Sequence, residues 1–250
     1  MATLTHITFT GIDQFTDLDR LWDIHKIYTF AQFGVLTSVS FGRRGFEYPR
    51  PSIFKDLYYR QLHERIPISL NVCGIMALSL ATGKNEDLYE IVGEPYISAF
   101  DRLQLNHDSA HELEKPCFIL ENCWIPQPYG EDIVPMFNNV FYSTPCSFYD
   151  DSHILAGKDF AIKAKPWMKD RNVGFSGDIS EHNINDVISK LESDPNLDRF
   201  WLNIETSLRT HDKFDLCKVE RICQMVYDKF EDVKENRICS LIDDLKQILT

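Results

Sequence analysis

Residues that could activate or transfer a proton stand directly after short apolar segments of this chain. Cys73 ends one segment, and a cysteine becomes a nucleophile or a base once a basic or helix-terminal neighbour ionises its thiol. Asp178 and Glu205 follow two later segments. When two carboxylates share one pocket, the pKa of one of them rises, and the pair can then act as a proton donor or as a metal-binding site. The alternatives are a small apolar filler at Cys73, and solvated carboxylates or an ion pair of Glu205 with Arg209.

Residues that could hold a ligand, all of them polar except one glycine, stand at similar positions, at or just after the ends of apolar segments. They are Thr10, Asp13, Arg43, Arg44, Gln104, Asn106, Ser143, Ser176, Gly177, Asn203, Thr206 and Arg209. Two of the arginines lie in the segment 38–50, which also contains glycines and aromatic residues. Such a loop could close over a ligand, with its arginines binding an anion and its rings stacking on a flat group. It could equally be an ordinary surface loop.

A metal site has one weak candidate. His107 and His111 are four residues apart, so on a helix they share a face and could bind zinc as a pair. The chain has no HExxH motif, and the start of a surface helix explains this charged segment equally well. We therefore expect no metal and no cofactor.

The elements that must position these residues alternate between apolar strands and helical patterns, which is typical of a parallel sheet. The predicted strands are 7–10, 33–36, 68–72, 102–105, 117–120, 140–142, 172–175 and 200–204. About eight helices accompany them, without a linker or a repeat, and no GxGxxG motif follows the first strand. This pattern favours a closed barrel over an open doubly wound sheet. We predict one domain over residues 1–250, a single (β/α)₈ TIM barrel whose ligand site lies at the carboxyl ends of its strands.

An extra amphipathic helix is predicted at the end of the chain, around residues 238–248. It could cover the bottom of the barrel or form a contact in a homodimer.

Composition excludes several classes of partner. The formal net charge is −12, which opposes binding to nucleic acid or to an anionic membrane. No apolar run reaches the length of a membrane span, and the first residues lack the features of a signal peptide.

The 7 cysteines form no CxxC pair. We expect free thiols and a cytoplasmic location.

Several segments resemble phosphoribosylanthranilate isomerase. The segment 173–179 is Val-Gly-Phe-Ser-Gly-Asp-Ile and is followed by Asn-Ile at 183–184, which is similar to the loop and helix after strand 7 of that family. The segment 203–209, Asn-Ile-Glu-Thr-Ser-Leu-Arg, resembles its strand-8 motif. Leu-Gln-Leu-Asn at 103–106 and Phe-Thr-Gly at 9–11 stand where the family has its strand-4 and strand-1 motifs. The order agrees along nearly the whole chain, and a set of uncharacterised bacterial isomerase-like barrels is more similar still.

The resemblance implies a barrel that catalyses an Amadori rearrangement of an aldose phosphate. The family uses a cysteine base on strand 1 and an aspartate acid on strand 6, and two loops after strands 7 and 8 hold the phosphate. By this resemblance Thr10 stands at the cysteine position and Ser143 takes the aspartate position, and neither hydroxyl titrates near neutral pH. Asp178 and Glu205 stand where the phosphate loops have glycine and serine, and a carboxylate repels a dianion.

Two functions follow from this comparison. The first is a diverged isomerase-like barrel, a pseudoenzyme, that binds a small anionic molecule such as a sugar phosphate or a nucleotide-like compound. The second is an active aldose–ketose type isomerase with relocated acid and base residues such as Cys73 and Glu205. A scaffold that binds proteins through its outer helices is a third class, without a positive signal.

Overall fold

The computed structural model describes residues 1–39, 48–81, 84–106, 123–124, 146–150, 169, 172–176 and 179–230. The predicted strands 117–120 and 140–142 lie outside these residues. So do the predicted C-terminal helix and most of the 38–50 loop.

The chain is an α/β protein built on a parallel sheet, as predicted. Its strands are β1 (Thr3–Thr10), β2 (Ala31–Thr37), β3 (Ile68–Cys73), β4 (Arg102–Asn106), β5 (Cys123–Trp124), β6 (Cys146–Asp150), β7 (Asn172–Ser176) and β8 (Arg199–Ile204). Their order in the sheet is β5-β4-β3-β2-β1-β8-β7-β6, and every pairing is parallel. The carboxyl ends of all these strands therefore meet at one edge of the sheet.

The sixth strand corrects one prediction. The sheet takes this strand from Cys146–Asp150, so Ser143 precedes the strand that it was expected to follow. Both segments contain adjacent aromatic residues, and a short apolar run has no period that separates a strand from its flank.

Helices lie in the described parts of the connections between the strands and after β8. They are α1 (Leu18–Ile27), α2 (Ser52–His63), α3 (Ile75–Ala81), α4 (Glu86–Ile91), a 3₁₀ helix (Glu94–Ala99), α5 (Ile184–Glu192) and α6 (216–230). After β8 the chain makes a 3₁₀ turn (Thr206–Leu208) and a short hairpin, in which β9 (Arg209–Thr210) pairs with β10 (Lys213–Phe214). Among the described helices, none has the length and apolar character that crossing a membrane requires.

The two faces of the sheet differ sharply in chemistry because successive side chains on a strand point to opposite faces. One face joins the helices in the apolar core, where Phe9, Phe33 and Leu70 pack with residues such as Leu21 and Phe54. The other face is polar, and its side chains are as fully buried as the apolar ones: Thr8, Thr10, Ser69, Asn71 and Gln104. Polar groups buried in this way need hydrogen-bond partners in the protein or in bound water.

Candidate functional site

A chain of hydrogen bonds crosses the polar face of the sheet near the carboxyl ends of the strands. Ser69 Oγ donates to Asn71 Oδ1 over 3.0 Å, and Asn71 Nδ2 donates to Thr10 Oγ1 over 3.1 Å. Thr10 Oγ1 in turn donates to Asn203 Oδ1 over 2.7 Å. These four buried residues, which we call the polar relay, link β3 to β8 across β2 and β1.

Gly34 makes room for the polar relay. It lies on β2 in register with Thr10 on one side and Ser69 on the other. A Cβ atom at this position would stand 2.5 Å from Thr10 Oγ1 and 2.9 Å from Ser69 Oγ, so any side chain there would force these neighbours to shift. The absence of a side chain at Gly34 therefore lets the relay pass over β2.

Two further predicted residues extend this polar surface. Ser176 ends β7 in register with Asn203, so both side chains share a face, and each residue is more than nine-tenths buried. Gln104 on β4 is in register with Asn71 and is also buried. Of the predicted ligand-binding residues, Thr10, Gln104, Ser176 and Asn203 thus lie on one continuous face, and Asn106 ends the same strand as Gln104.

Cys73 and Glu205, the predicted catalytic residues that the structure describes, stand on strands that are not neighbours. Cys73 ends β3 and is partly exposed, and its Sγ lies 3.8 Å from Asn71 O. Glu205 follows β8 and begins the 3₁₀ turn, where Thr206 is exposed. Because β2 and β1 lie between β3 and β8, the sheet separates the two residues.

Several predicted site residues lie outside the described residues. They are Arg43, Arg44, Ser143, Gly177 and Asp178, together with the predicted metal pair His107 and His111. Within the described ranges, no group of three or more His, Cys, Asp or Glu side chains is arranged to hold a metal ion.

Asp13 and Arg209 were predicted to contact a ligand, and the structure commits both to the chain itself. Asp13 is fully buried, and its Oδ1 accepts from the Phe15 backbone N at 2.9 Å and from Thr16 Oγ1 at 3.2 Å. Its Oδ2 accepts from the Phe214 backbone N at 2.8 Å and lies 3.5 Å from Arg209 Nη1. Arg209 also donates to the carbonyl oxygens of Gly11 and Asp212. The pair fastens the loop after β1 to the hairpin after β8.

A buried cation beneath the polar relay was missed by the sequence analysis. Arg102 Nη2 donates to Thr8 Oγ1 over 2.7 Å and its Nη1 donates to Gln32 Oε1 over 2.9 Å. The guanidinium lies 4.8 Å from the ring centre of Trp201, and the ring of His6 stacks on Trp201 as well. Burial, and then the charge of Arg102, hold the pKa of the His6 imidazole well below its ordinary value. The sequence did carry a signal for this cation, because Arg102 is a charged residue at the first position of a strand.

Asp150 is a second residue that the sequence analysis missed. It is the last residue of β6 and is in register with Ser176 of β7. An acidic residue at the carboxyl end of strand 6 occupies the strand position that Ser143 was expected to fill. The signal was present in the sequence, but the wrong boundary for strand 6 concealed it.

Two clefts are formed by residues of the described part of the chain, one of them beside the loop after β1 and the hairpin after β8. One of about 310 Å³ is lined by Phe15, Arg20 and Lys213 among others, and one of about 370 Å³ lies between α1 and α6 beside Tyr28 and Cys217. Neither is lined by a predicted site residue. Among the described cysteines, Cys73, Cys217 and Cys223 form no disulfide bond, and burial raises the pKa of the Cys223 thiol.

Comparison with known proteins relates the fold to one family of solved structures. No protein-family model matches this chain, and no curated protein sequence is detectably similar. The phosphoribosyl anthranilate isomerase from Thermus thermophilus superposes with a TM-score of 0.51 at 10% identity, covering 89% of this chain and 98% of that one. The phosphoribosyl anthranilate isomerase from Thermococcus kodakaraensis gives a TM-score of 0.50 at 13% identity, with the same coverage of both chains. At such low identity the comparison establishes similarity of fold, so the chain has a fold like that of the phosphoribosylanthranilate isomerases.

Proposed function

We propose that residues 1–250 form one diverged (β/α)₈ barrel that binds a small anionic molecule, a sugar phosphate or a nucleotide-like compound, at the carboxyl ends of its strands. Two observations support closure of the sheet into a barrel. Both solved structures match nearly their whole length to this chain. The polar face of the sheet is buried, as the interior of a closed barrel is.

The observation that carries the binding function is the polar relay and its neighbours at the strand ends. Barrels of this class bind their ligands at that edge. There the chain places several buried hydroxyl and amide groups where an ordinary barrel core has branched apolar side chains. Buried polar groups of this kind cost stability unless they are satisfied, and ligand sites are the usual place where a protein retains them.

The same relay argues against the chemistry of the related family. Thr10 stands at the position of the cysteine base, and its hydroxyl already donates to Asn203 while its oxygen accepts from Asn71. A threonine hydroxyl is too weak an acid to act as a base near neutral pH. We therefore expect binding without the family's reaction.

The test uses the family's substrate and a simpler probe together. The wild-type protein is incubated with phosphoribosylanthranilate, and the reaction is followed by fluorescence, while ribose 5-phosphate is titrated in a calorimeter. We expect ribose 5-phosphate to bind and the phosphoribosylanthranilate signal to decay at the uncatalysed rate. Absence of binding by both compounds would contradict the proposal.

A second candidate function is an active aldose–ketose type isomerase, and Asp150 is the observation that favours it. Its position at the end of β6 is that of the acid in the related family. Turnover of a sugar phosphate by the wild type, lost in Asp150→Asn, would select this candidate. Loss of turnover in Cys73→Ala or Glu205→Gln, with ligand affinity retained, would assign the relocated groups instead.

A further inference from the structure

We propose that Asn203 and Ser176 bind a neutral oxygen of the ligand, a sugar hydroxyl or carbonyl, and that the polar relay presets Asn203 as the donor. The inference rests on the proposed function and specifies which part of the ligand reaches the bottom of the site. The phosphate of such a ligand then points away from this pair.

All the hydrogen bonds of the polar relay run in one direction, and this determines whether Asn203 presents a donor or an acceptor to the site. Each residue donates to the next, from Ser69 through Asn71 and Thr10 to the Oδ1 atom of Asn203. Since Thr10 occupies Oδ1, the Nδ2 atom of Asn203 is left as the donating end. Hydrogen bonds aligned in one direction polarise each other, so the terminal N–H is a stronger donor than that of an isolated amide.

The donating end has no acceptor among the described residues, although Asn203 is 4% exposed. Ser176 lies beside it in register and is 6% exposed, and its hydroxyl also has no hydrogen-bond partner within the described part of the chain. Two adjacent polar groups, buried and without a described partner, are suited to a ligand oxygen that accepts from the amide and exchanges a hydrogen bond with the hydroxyl.

The charges near this pair favour a neutral oxygen over a phosphate. Arg209, in the hairpin that follows β8, is held by Asp13 and by backbone carbonyls. Arg102 lies in the layer beneath, bound to Thr8 and Gln32. A buried dianion needs direct charged or multiple N–H donors, whereas a carbonyl or hydroxyl oxygen needs one or two neutral ones.

The experiment compares ribose 5-phosphate with inorganic phosphate on the full chain. Asn203→Asp keeps the Oδ1 acceptor for Thr10 but replaces the terminal N–H donor by an anionic oxygen. We expect this variant to bind ribose 5-phosphate at least tenfold more weakly than the wild type does, and to bind inorganic phosphate with an affinity within twofold of that of the wild type. Asn85→Asp, at the start of α4, is the control of equal charge, and both affinities should be unchanged. Equal weakening of both probes, or of neither, would overturn the inference.

The presetting of Asn203 has its own pair of variants. Thr10→Val removes the hydroxyl at constant shape, and we expect it to weaken the binding of ribose 5-phosphate but not that of inorganic phosphate. Thr10→Ser retains the hydroxyl and should restore the discrimination between the two probes that Thr10→Val loses. If Thr10→Val binds both probes as the wild type does, the relay does not position Asn203.

A measurement without ligand separates this inference from the proposed function. If neither probe binds the wild type, the proposed function fails, and the relay is then judged by NMR. The side-chain NH₂ signals of Asn203, identified by their loss in Asn203→Asp, should exchange with water faster than those of Asn71 and should shift in Thr10→Val. The reverse order of exchange, or no shift, would overturn the relay.

Discussion

Asp13 and Arg209 form an ion pair that joins the first loop of the chain to the last hairpin, with Arg209 Nη1 3.5 Å from Asp13 Oδ2. The carboxylate is fully buried and the arginine side chain is 11% exposed. Backbone N–H groups of Phe15 and Phe214 complete the acceptor capacity of Asp13. The pair therefore fastens the loop after β1 to the hairpin after β8, next to the strand ends.

Asp13→Ala should destabilise the protein strongly, because it leaves Arg209 without its buried partner and two backbone donors without an acceptor. Breaking a buried pair typically costs about 3–5 kcal/mol. The measurement is the free energy of unfolding in urea. Arg221→Ala is the control, since it breaks an exposed pair with Glu181, and pairs of that kind contribute about 1 kcal/mol or less. Equal losses in the two variants would show that the buried pair has no special role.

Gly34→Ala should destabilise the sheet because its Cβ atom meets Thr10 Oγ1 at 2.5 Å. Overpacking of this kind costs about 1–3 kcal/mol. In the double variant with Thr10→Ala the clashing oxygen is absent, so the combined loss of unfolding free energy should be smaller than the sum of the single losses. Additivity within about 0.5 kcal/mol would mean that the two residues do not meet as described.

Stability should fall below neutral pH because of His6. Burial, followed by the charge of Arg102, lowers the pKa of His6 in the folded protein. In the unfolded chain the His6 imidazole takes up a proton near pH 6.5, whereas in the folded chain it stays neutral there. The contribution of His6 to the free energy of unfolding is therefore fully present above about pH 6.5, and it is lost as the pH falls toward the folded pKa. The slope is at most about 1.4 kcal/mol per pH unit for one proton.

Unfolding in urea at pH 7 and pH 5 checks this dependence. His6→Gln should lose less free energy of unfolding between the two pH values than the wild type loses. His63→Gln, at an exposed position on α2, is the control and should follow the wild type. An unchanged pH dependence in His6→Gln would mean that the imidazole is not neutral in the folded protein.

Local patterns in the sequence predicted much of the first half of the sheet. The strand predicted at 68–72 is confirmed as Ile68–Cys73. Its apolar side chains alternate with polar ones, and Pro67 and Gly74 bound the segment. The boundary of β6 could not be predicted, because its aromatic residues continue a pattern that begins earlier in the chain.

The contacts within the site could not be predicted from local patterns. Thr10 and Asn203 were recognised separately as strand-end residues, but their hydrogen bond depends on the pairing of the first strand with the last. The same pairing brings Asp13 to Arg209, which turned two predicted ligand contacts into one internal ion pair. Glycine at position 34 carried no signal, since its role depends on side chains from two other strands.

The most direct test of the proposed function is native mass spectrometry of the gently purified wild-type protein. The proposal predicts one phosphorylated or nucleotide-like compound per chain, released with its chemical structure unchanged on denaturation, or the uptake of one ribose 5-phosphate by a protein that was purified empty. A protein that carries no small molecule and acquires none at millimolar ribose 5-phosphate would contradict it.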